Sequence, residues 1–295
     1  LLAPAGSPEA LRAAVEGGAD AVYFGASGFN ARAGARNFSD TELRRAVEFC
    51  HGRGVRVYLT LNTLIYDREL RDYLAAAETA YLAGVDALIV ADIGAAALRR
   101  TFPDLPLHAS TQMSGHSVGC AKELASLGFE RMVLAREMSF ADIAGFTRTS
   151  PIEAEVFIHG ALCVCHSGQC LFSSMVGGRS GNRGECAQPC RLPYNGGKYP
   201  LSLKDNCLAG HIPELIDAHV ASLKIEGRMK GPDYVGPVTA VYRRLLDGHR
   251  AATPEEIGYL AEIFSRSGFT DAYFTGNISH AMLGTRTEAD KRRSA

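Results

Sequence analysis

Gly18-Ala-Asp-Ala-Val-Tyr23-Phe-Gly25 and Gly84-Val-Asp-Ala87-Leu-Ile-Val-Ala91 are one phrase written twice. Each opens on a glycine that stops a helix, passes an aspartate, and enters an apolar run too short to be a helix itself. Related phrasing stands at Gly128-Phe-Glu130 and Ala218-His-Val220. Outward from these joints the pattern is a short strand followed by an amphipathic helix. Near-continuous Val, Ile, Leu, Ala, Tyr or Phe runs predict strands at Leu2–Pro4, Ala19–Gly25, Val55–Leu61, Ala87–Ala91, Leu107–Thr111, Arg131–Ala135, Glu155–His159 and Leu223–Glu226. Such runs suit parallel strands covered on both faces.

Helices are expected between them. Ser7-Pro8-Glu9 reads as a cap with proline at the first helical position, and Ser39-Asp-Thr-Glu42 opens a second helix. Further helices fit Asp67 to Leu82, Ile93–Arg100, Ser117–Leu127, Phe140–Phe146 and Pro232–Leu246. Eight strand–helix units favour a TIM-type (β/α)8 barrel over an open, doubly wound sheet. The barrel is expected to occupy residues 1–250, with a cysteine-rich insert at 160–210 between strands 7 and 8 and a C-terminal extension over 251–295. The chain opens on Leu1 rather than Met and closes on a polar stretch, Lys291-Arg-Arg293, which reads as a piece of a longer protein.

The formal net charge is −1 with 21% charged residues, so no global charge draws nucleic acid or an anionic membrane. No apolar run is long enough to span a bilayer, and no signal-peptide pattern opens the chain; a cytoplasmic protein is expected.

Six of the eight cysteines fall in the 45 residues from Cys163 to Cys207: Cys163, Cys165, Cys170, Cys186, Cys190 and Cys207. In a reducing compartment such clustering suggests metal binding; a disulfide knot or buried thiols are the alternatives. Zinc sites usually pair their ligands as C-x2-C, which is absent here. Glycine-containing loops between the thiols suit an iron–sulfur cluster better. From 163 to 204 there are five basic residues, Arg179, Arg183, Arg191, Lys198 and Lys204, against Glu185. That excess fits either a phosphate-contacting patch or counter-charge for an anionic metal–thiolate centre.

In a barrel the residues at strand C-terminal ends share one mouth. Asn62, Asp92, Gln112, Arg136 with Glu137, His159, and Glu226 with Arg228 hold those positions. Arg136 and Arg228 could grip a carboxylate or a phosphate, with Asn62 and Gln112 beside them. Glu155, His159 and Glu226 are the candidate acid–base groups, although both glutamates could equally pair with the arginines. Gly115-His-Ser117-Val-Gly119 matches the nucleophile-elbow pattern only on paper, because Ser117 is better placed to cap the next helix.

Taken together, these residues resemble peptidase family U-32, the collagenase-like peptidases. The resemblance is carried by Glu155-x-Phe157-x-His159-Gly160-x-Leu-Cys163, by Ser167-Gly-x-Cys170, and by Gly178-Arg-Ser180-x-Asn-Arg183-Gly-x-Cys186-x-Gln188-x-Cys190-Arg191. Lys224-Ile-Glu226-Gly-Arg228 and the opening Leu2-Ala-Pro4-Ala-Gly6-Ser add to it. Phe264-Ser-Arg-Ser-Gly-Phe269-Thr and Leu283-Gly-Thr-Arg286-Thr-Glu288 are similar to the longer members, which include a ribosomal RNA cytidine hydroxylase. Shorter members hydroxylate a tRNA uridine or act as paired ubiquinone hydroxylation factors.

The resemblance implies a 4Fe–4S cluster on Cys163, Cys170, Cys186 and Cys207, with Cys190 as the alternative to Cys207 and Cys165 as an extra thiol. It also implies RNA (ribosomal RNA or tRNA) as substrate, with Arg179 and Arg183 among its contacts, and prephenate as a small carboxylate co-substrate. An iron–sulfur RNA hydroxylase is therefore expected. A collagenase-like peptidase and a non-catalytic, cluster-bearing partner subunit are the other readings.

Overall fold

A computed structural model describes residues 1–26, 28–32 and 36–285. Ten strands are present among them: β1 (Leu2–Pro4), β2 (Ala21–Gly25), β3 (Arg56–Leu61), β4 (Ala87–Val90), β5 (Leu107–Ala109), β6 (Phe129–Val133), β7 (Glu153–Gly160), β8 (Asp205–Cys207), β9 (Ser222–Ile225) and β10 (Phe269–Thr270). β1 to β7 pair in sequence order, all parallel. β9 closes the circle, lying parallel to β7 through Glu155↔Ser222 and to β1 through Leu2↔Lys224. The result is the expected closed barrel of eight parallel strands with helices around it.

The helices begin where their caps predict. Ser7 Oγ accepts from the Ala10 amide at 3.2 Å, with Pro8 at the first helical position of Pro8–Glu16. Ser39 and Glu42 exchange bonds in a capping box that opens Asp40–His51. Ser117 Oγ likewise accepts from the Cys120 amide at 3.2 Å and caps Val118–Ser126, which disposes of the nucleophile elbow. Over Ile93–Arg100 the chain instead makes a 3-10 turn, Ile93–Ala97, before a single helical turn, Leu98–Thr101.

The sixth strand sits two residues earlier than its apolar run suggests, because Glu130 and Arg131 interrupt the pattern while the backbone still pairs. Two short strands have no apolar signature. β8 runs antiparallel to the end of β7 (His159↔Cys207, Gly160↔Asn206), and β10 lies parallel to β8 (Phe269↔Asp205). Both belong to a layer capping the C-terminal mouth. Residues of the C-terminal segment join it: Leu203 bridges Leu283, and Leu162, Leu203, Ala272 and Met282 form a small core of their own. Arg286, Glu288 and the basic stretch 291–293 lie outside the described residues.

The lower barrel interior is packed by Leu2, Ala21, Tyr23, Tyr58, Ala87 and Ile89. Above this plug the interior turns polar and then opens into a cavity of about 770 Å³ at the C-terminal mouth.

Candidate active site

The cavity floor is cationic. Glu226, directly after β9, holds two guanidinium groups: Arg32 Nη2 lies 3.2 Å from its Oε1 and Arg136 Nη2 lies 3.0 Å from its Oε2. Burial works to raise the Glu226 pKa, but Arg32, Arg136, Arg228 and Lys224 overcome it and hold the carboxyl at about 2. With both oxygens engaged and the group ionised at any ordinary pH, Glu226 is a poor acid or base; its role here is to hold Arg32 and Arg136. The Arg136 guanidinium also lies 4.0 Å from the Phe157 ring centroid, and its Nε is buried without a partner.

Arg228 is 5% exposed and donates from Nη1 to Thr60 Oγ1 at 2.6 Å. Among the described residues no carboxylate pairs with it. Burial, and then Arg32, lower its pKa to about 10. Lys224 Nζ lies 2.7 Å from Glu155 Oε1 and 4.2 Å from the Tyr23 ring centroid. Glu155 is fully buried and also receives Arg131 Nη1 at 3.4 Å. Burial opposes its charge, while Lys224 and Arg131 keep its pKa below the usual carboxylate range. Glu155 is not among the residues lining the cavity, so the structure makes it a counter-ion beneath the floor rather than a group in reach of substrate.

His159 lines the cavity near its junction with β8. The Tyr242 hydroxyl lies 3.0 Å from the Ile158 carbonyl oxygen and 3.1 Å from His159 Nδ1. A phenol has one hydrogen, and the carbonyl can only accept, so His159 Nδ1 carries its own proton and donates to the Tyr242 oxygen. Nε2 then presents a lone pair, and it is buried with no partner. Burial lowers the ring pKa to about 3, leaving a neutral imidazole.

Five thiols line the same cavity: Cys163, Cys165, Cys170, Cys186 and Cys190. Burial raises the Cys190 pKa; among the charges around it, Arg191 lowers it and Cys163, Cys186 and Cys170 raise it further, which marks these sulfurs as neighbours. The Gln188 amide donates to Cys186 Sγ at 3.3 Å, the kind of N–H···S bond that favours thiolate. Cys207 is not in this set. It is buried, 3.6 Å from the Tyr242 hydroxyl, and does not line the cavity. Of the four thiols carried over from the family motif, the structure brings three together and puts Cys190, not Cys207, with them. Among the described residues no three His, Cys, Asp or Glu side chains converge on one point as a single metal ion requires. A larger cluster spreads its thiolates over several irons, and a sulfur-only donor set is the chemistry it takes.

Of the other predicted contacts, Asn62 and Gln112 line the cavity, Asn62 donating from Nδ2 to Ser110 Oγ at 3.1 Å. Arg183 does not face it: Nη2 meets Glu69 Oε1 at 2.6 Å and Nη1 meets the Leu64 carbonyl at 2.7 Å. Arg179 donates from Nε to the Glu185 carbonyl at 2.9 Å and stands exposed outside the cavity lining. Arg32 and Lys224 are floor residues that no strand-end pattern singled out; Arg32 sits in the loop after β2, where a barrel directs its loops to the mouth.

No helix among the described residues is long and apolar enough to cross a membrane. The profile of peptidase family U32 matches residues 6–283. The chain is 44% identical over 284 residues to the 23S rRNA 5-hydroxycytidine C2501 synthase of Escherichia coli, covering 93% of this chain and 42% of that protein. It is 38% identical over 275 residues to the tRNA hydroxylation protein P1 of Bacillus subtilis, covering 86% of this chain and 64% of that one. It is 35% identical over 306 residues to the collagenase of Porphyromonas gingivalis, covering 94% and 73%. The chain thus spans about half the length of the first two relatives.

Proposed function

We propose, since the chain belongs to peptidase family U32, that it is an RNA base hydroxylase of the cytoplasm, acting on ribosomal RNA or tRNA. The observation that carries this reading is one cavity with thiols around its mouth and a buried cationic floor. Two relatives are named for hydroxylation of rRNA and tRNA.

Cys163, Cys170, Cys186 and Cys190 would hold a 4Fe–4S cluster, which supplies one-electron redox chemistry when bound. The floor supports a small carboxylate co-substrate such as prephenate. Arg32, Arg136, Lys224 and Arg228 stand there against the carboxylates of Glu155 and Glu226. Four cations stand against two carboxylates and, among the described residues, Arg228 makes no ion pair of its own, so Arg228 and the unbonded Nε of Arg136 favour an anion above them. Glu226 orients the two arginines, and the neutral His159 can accept a hydrogen bond at its buried, unpartnered Nε2.

The peptidase reading draws on the name of the Porphyromonas relative. It needs a nucleophile within reach of a base. Among the described residues the His159 ring is hydrogen-bonded to Tyr242 and the His166 ring to Glu137, so neither imidazole is set on a thiol as its base.

The test is mass spectrometry of rRNA and tRNA nucleosides from a deletion strain carrying the whole gene, either wild type or Cys163→Ala/Cys170→Ala. A hydroxylated nucleoside is expected to vanish in the deletion, return with the wild type and stay absent with the thiol variant. An unchanged nucleoside profile across all strains refutes the proposal.

A further inference from the structure

The cavity thiols ride on two irregular segments, 163–170 and 181–190, which a metal could in principle order by binding. The hydrogen bonding is arranged otherwise. Midway between Cys163 and Cys170, the Glu137 carboxylate from the β6 exit accepts three donors: the Ser167 amide at 3.0 Å, Ser167 Oγ at 2.9 Å and His166 Nδ1 at 3.2 Å. Ser167 Oγ in turn accepts from the Arg136 amide at 3.2 Å, and the Ser167 carbonyl accepts from Ser114 Oγ at 2.6 Å. The next residue, Gly168, has φ +79°, and a Cβ there would lie 2.4 Å from the Gln112 carbonyl oxygen. Only glycine lets the segment seat this closely on the β5 loop.

The second segment has its own carboxylate. Glu69, in the loop after β3, takes Arg183 at 2.6 Å on Oε1 and the Tyr66 amide at 3.0 Å on Oε2. Arg183 is three residues from Cys186. Asn182 Nδ2 joins the two segments by donating to the Gly168 carbonyl at 3.1 Å.

We propose that Glu137 and Glu69 are positioning residues that seat the two thiol segments on the barrel before any metal arrives, so that the cage is built by the fold and not by the cofactor. The purpose assigned to the seating rests on the metal-binding reading of the thiols; the clamps themselves do not. Ordering the segments in advance removes an entropic cost from metal capture and slows metal loss. Glu137 also links the thiols to the floor. Its neighbour Arg136 anchors Ser167 through the backbone and Glu226 through the side chain, so one dipeptide sets the spacing between cage and cations.

The test compares wild type, Glu137→Gln, Glu137→Ala, Ser167→Ala and Glu69→Ala. Hydrogen exchange is followed over residues 163–170 and 181–190 in the metal-free protein, and iron release to a chelator is followed in anaerobically reconstituted protein. Glu137→Ala is expected to deprotect 163–170 while the barrel strands keep their protection, and to speed iron loss by about 10- to 100-fold, the usual effect of removing an outer-shell partner. Glu137→Gln, which keeps one acceptor oxygen for the Ser167 amide, should fall between. Ser167→Ala serves if the glutamate variants do not fold. Wild-type protection of 163–170 in metal-free Glu137→Ala, or wild-type iron release, overturns the proposal. If the wild type takes up no iron yet the variant loses loop protection, the clamp stands and the cluster reading falls.

Discussion

Glu155→Gln separates a structural carboxylate from a catalytic one. Glu155 is fully buried, with Lys224 Nζ at 2.7 Å and Arg131 Nη1 at 3.4 Å. Arg131 keeps a second partner, Glu153, at 2.7 Å, so Lys224 is the residue left exposed to the loss. Glutamine preserves volume and an acceptor oxygen; what disappears is the charge. Removing one partner of a buried pair costs about 3–5 kcal/mol. At roughly 2–4 °C per kcal/mol for a chain of this size, the melting temperature falls by on the order of 10 °C.

The deficit has a pH signature. Burial lowers the Lys224 pKa and Glu155 is the leading charge that raises it, so in the variant the ammonium loses its proton earlier still. The unfolded lysine keeps its proton up to about pH 10.4. Between those two values the unfolded state binds more protons, and stability therefore rises with pH. The variant should recover part of its deficit as pH is raised from about 7 towards 10, more steeply than wild type. Urea unfolding midpoints across that range read both effects, and adding Lys224→Met should rescue Glu155→Gln by removing the orphaned charge. A Glu155→Gln protein that unfolds within about 0.5 kcal/mol of wild type while losing RNA hydroxylation would refute this reasoning and restore Glu155 as a catalytic group.

Small dicarboxylates, prephenate among them, should raise the melting temperature of the wild type, by an amount equivalent to about 2.7 kcal/mol at a concentration 100 times the Kd. Arg228→Met should abolish that rise without lowering the melting temperature of the ligand-free protein; an undiminished rise would take Arg228 out of the anion site. Anaerobically isolated Cys190→Ser is expected to lose most of its iron and Cys207→Ser to keep it, and the reverse result would return Cys207 to the ligand set. Burial holds His108 and His159 at about 3, so below about pH 6.5 the unfolded state takes up protons that the folded state refuses. Stability should fall by about 1.4 kcal/mol per pH unit for each ring as pH drops towards 4.5, and Glu226, held at about 2, adds to the loss only below that. His159→Gln should halve the slope near about pH 5.5, as read from urea midpoints; an unchanged slope would mean the ring is not buried neutral.

The barrel was legible because its strands advertise themselves. Continuous apolar runs bounded by helix-stopping glycines arise wherever a strand is covered on both faces, and eight of them at this spacing leave little choice of topology. β8 and β10 could not be read in the same way. Asp205-Asn-Cys207 and Phe269-Thr270 are strands only because the end of β7 offers them a partner, and no local pattern encodes that. The site divides along the same line. Arg136, Arg228 and Asn62 were found because strand ends in a barrel share one mouth. Arg32 was not, since its loop carries no apolar frame to locate it. Residue type also says nothing of partners: Glu226 is an acid–base candidate until two guanidinium groups are seen to occupy both its oxygens, and Arg183 is an RNA contact until Glu69 claims it. The cysteines make the point most sharply. Cys190 and Cys207 are equivalent by composition and close in sequence, yet β8 folds antiparallel onto β7 and turns Cys207 towards Tyr242, while the loop before it brings Cys190 to the other thiols. Which thiols lie together is decided by long-range pairing, so spacing alone could point to the six clustered cysteines but could not choose among them.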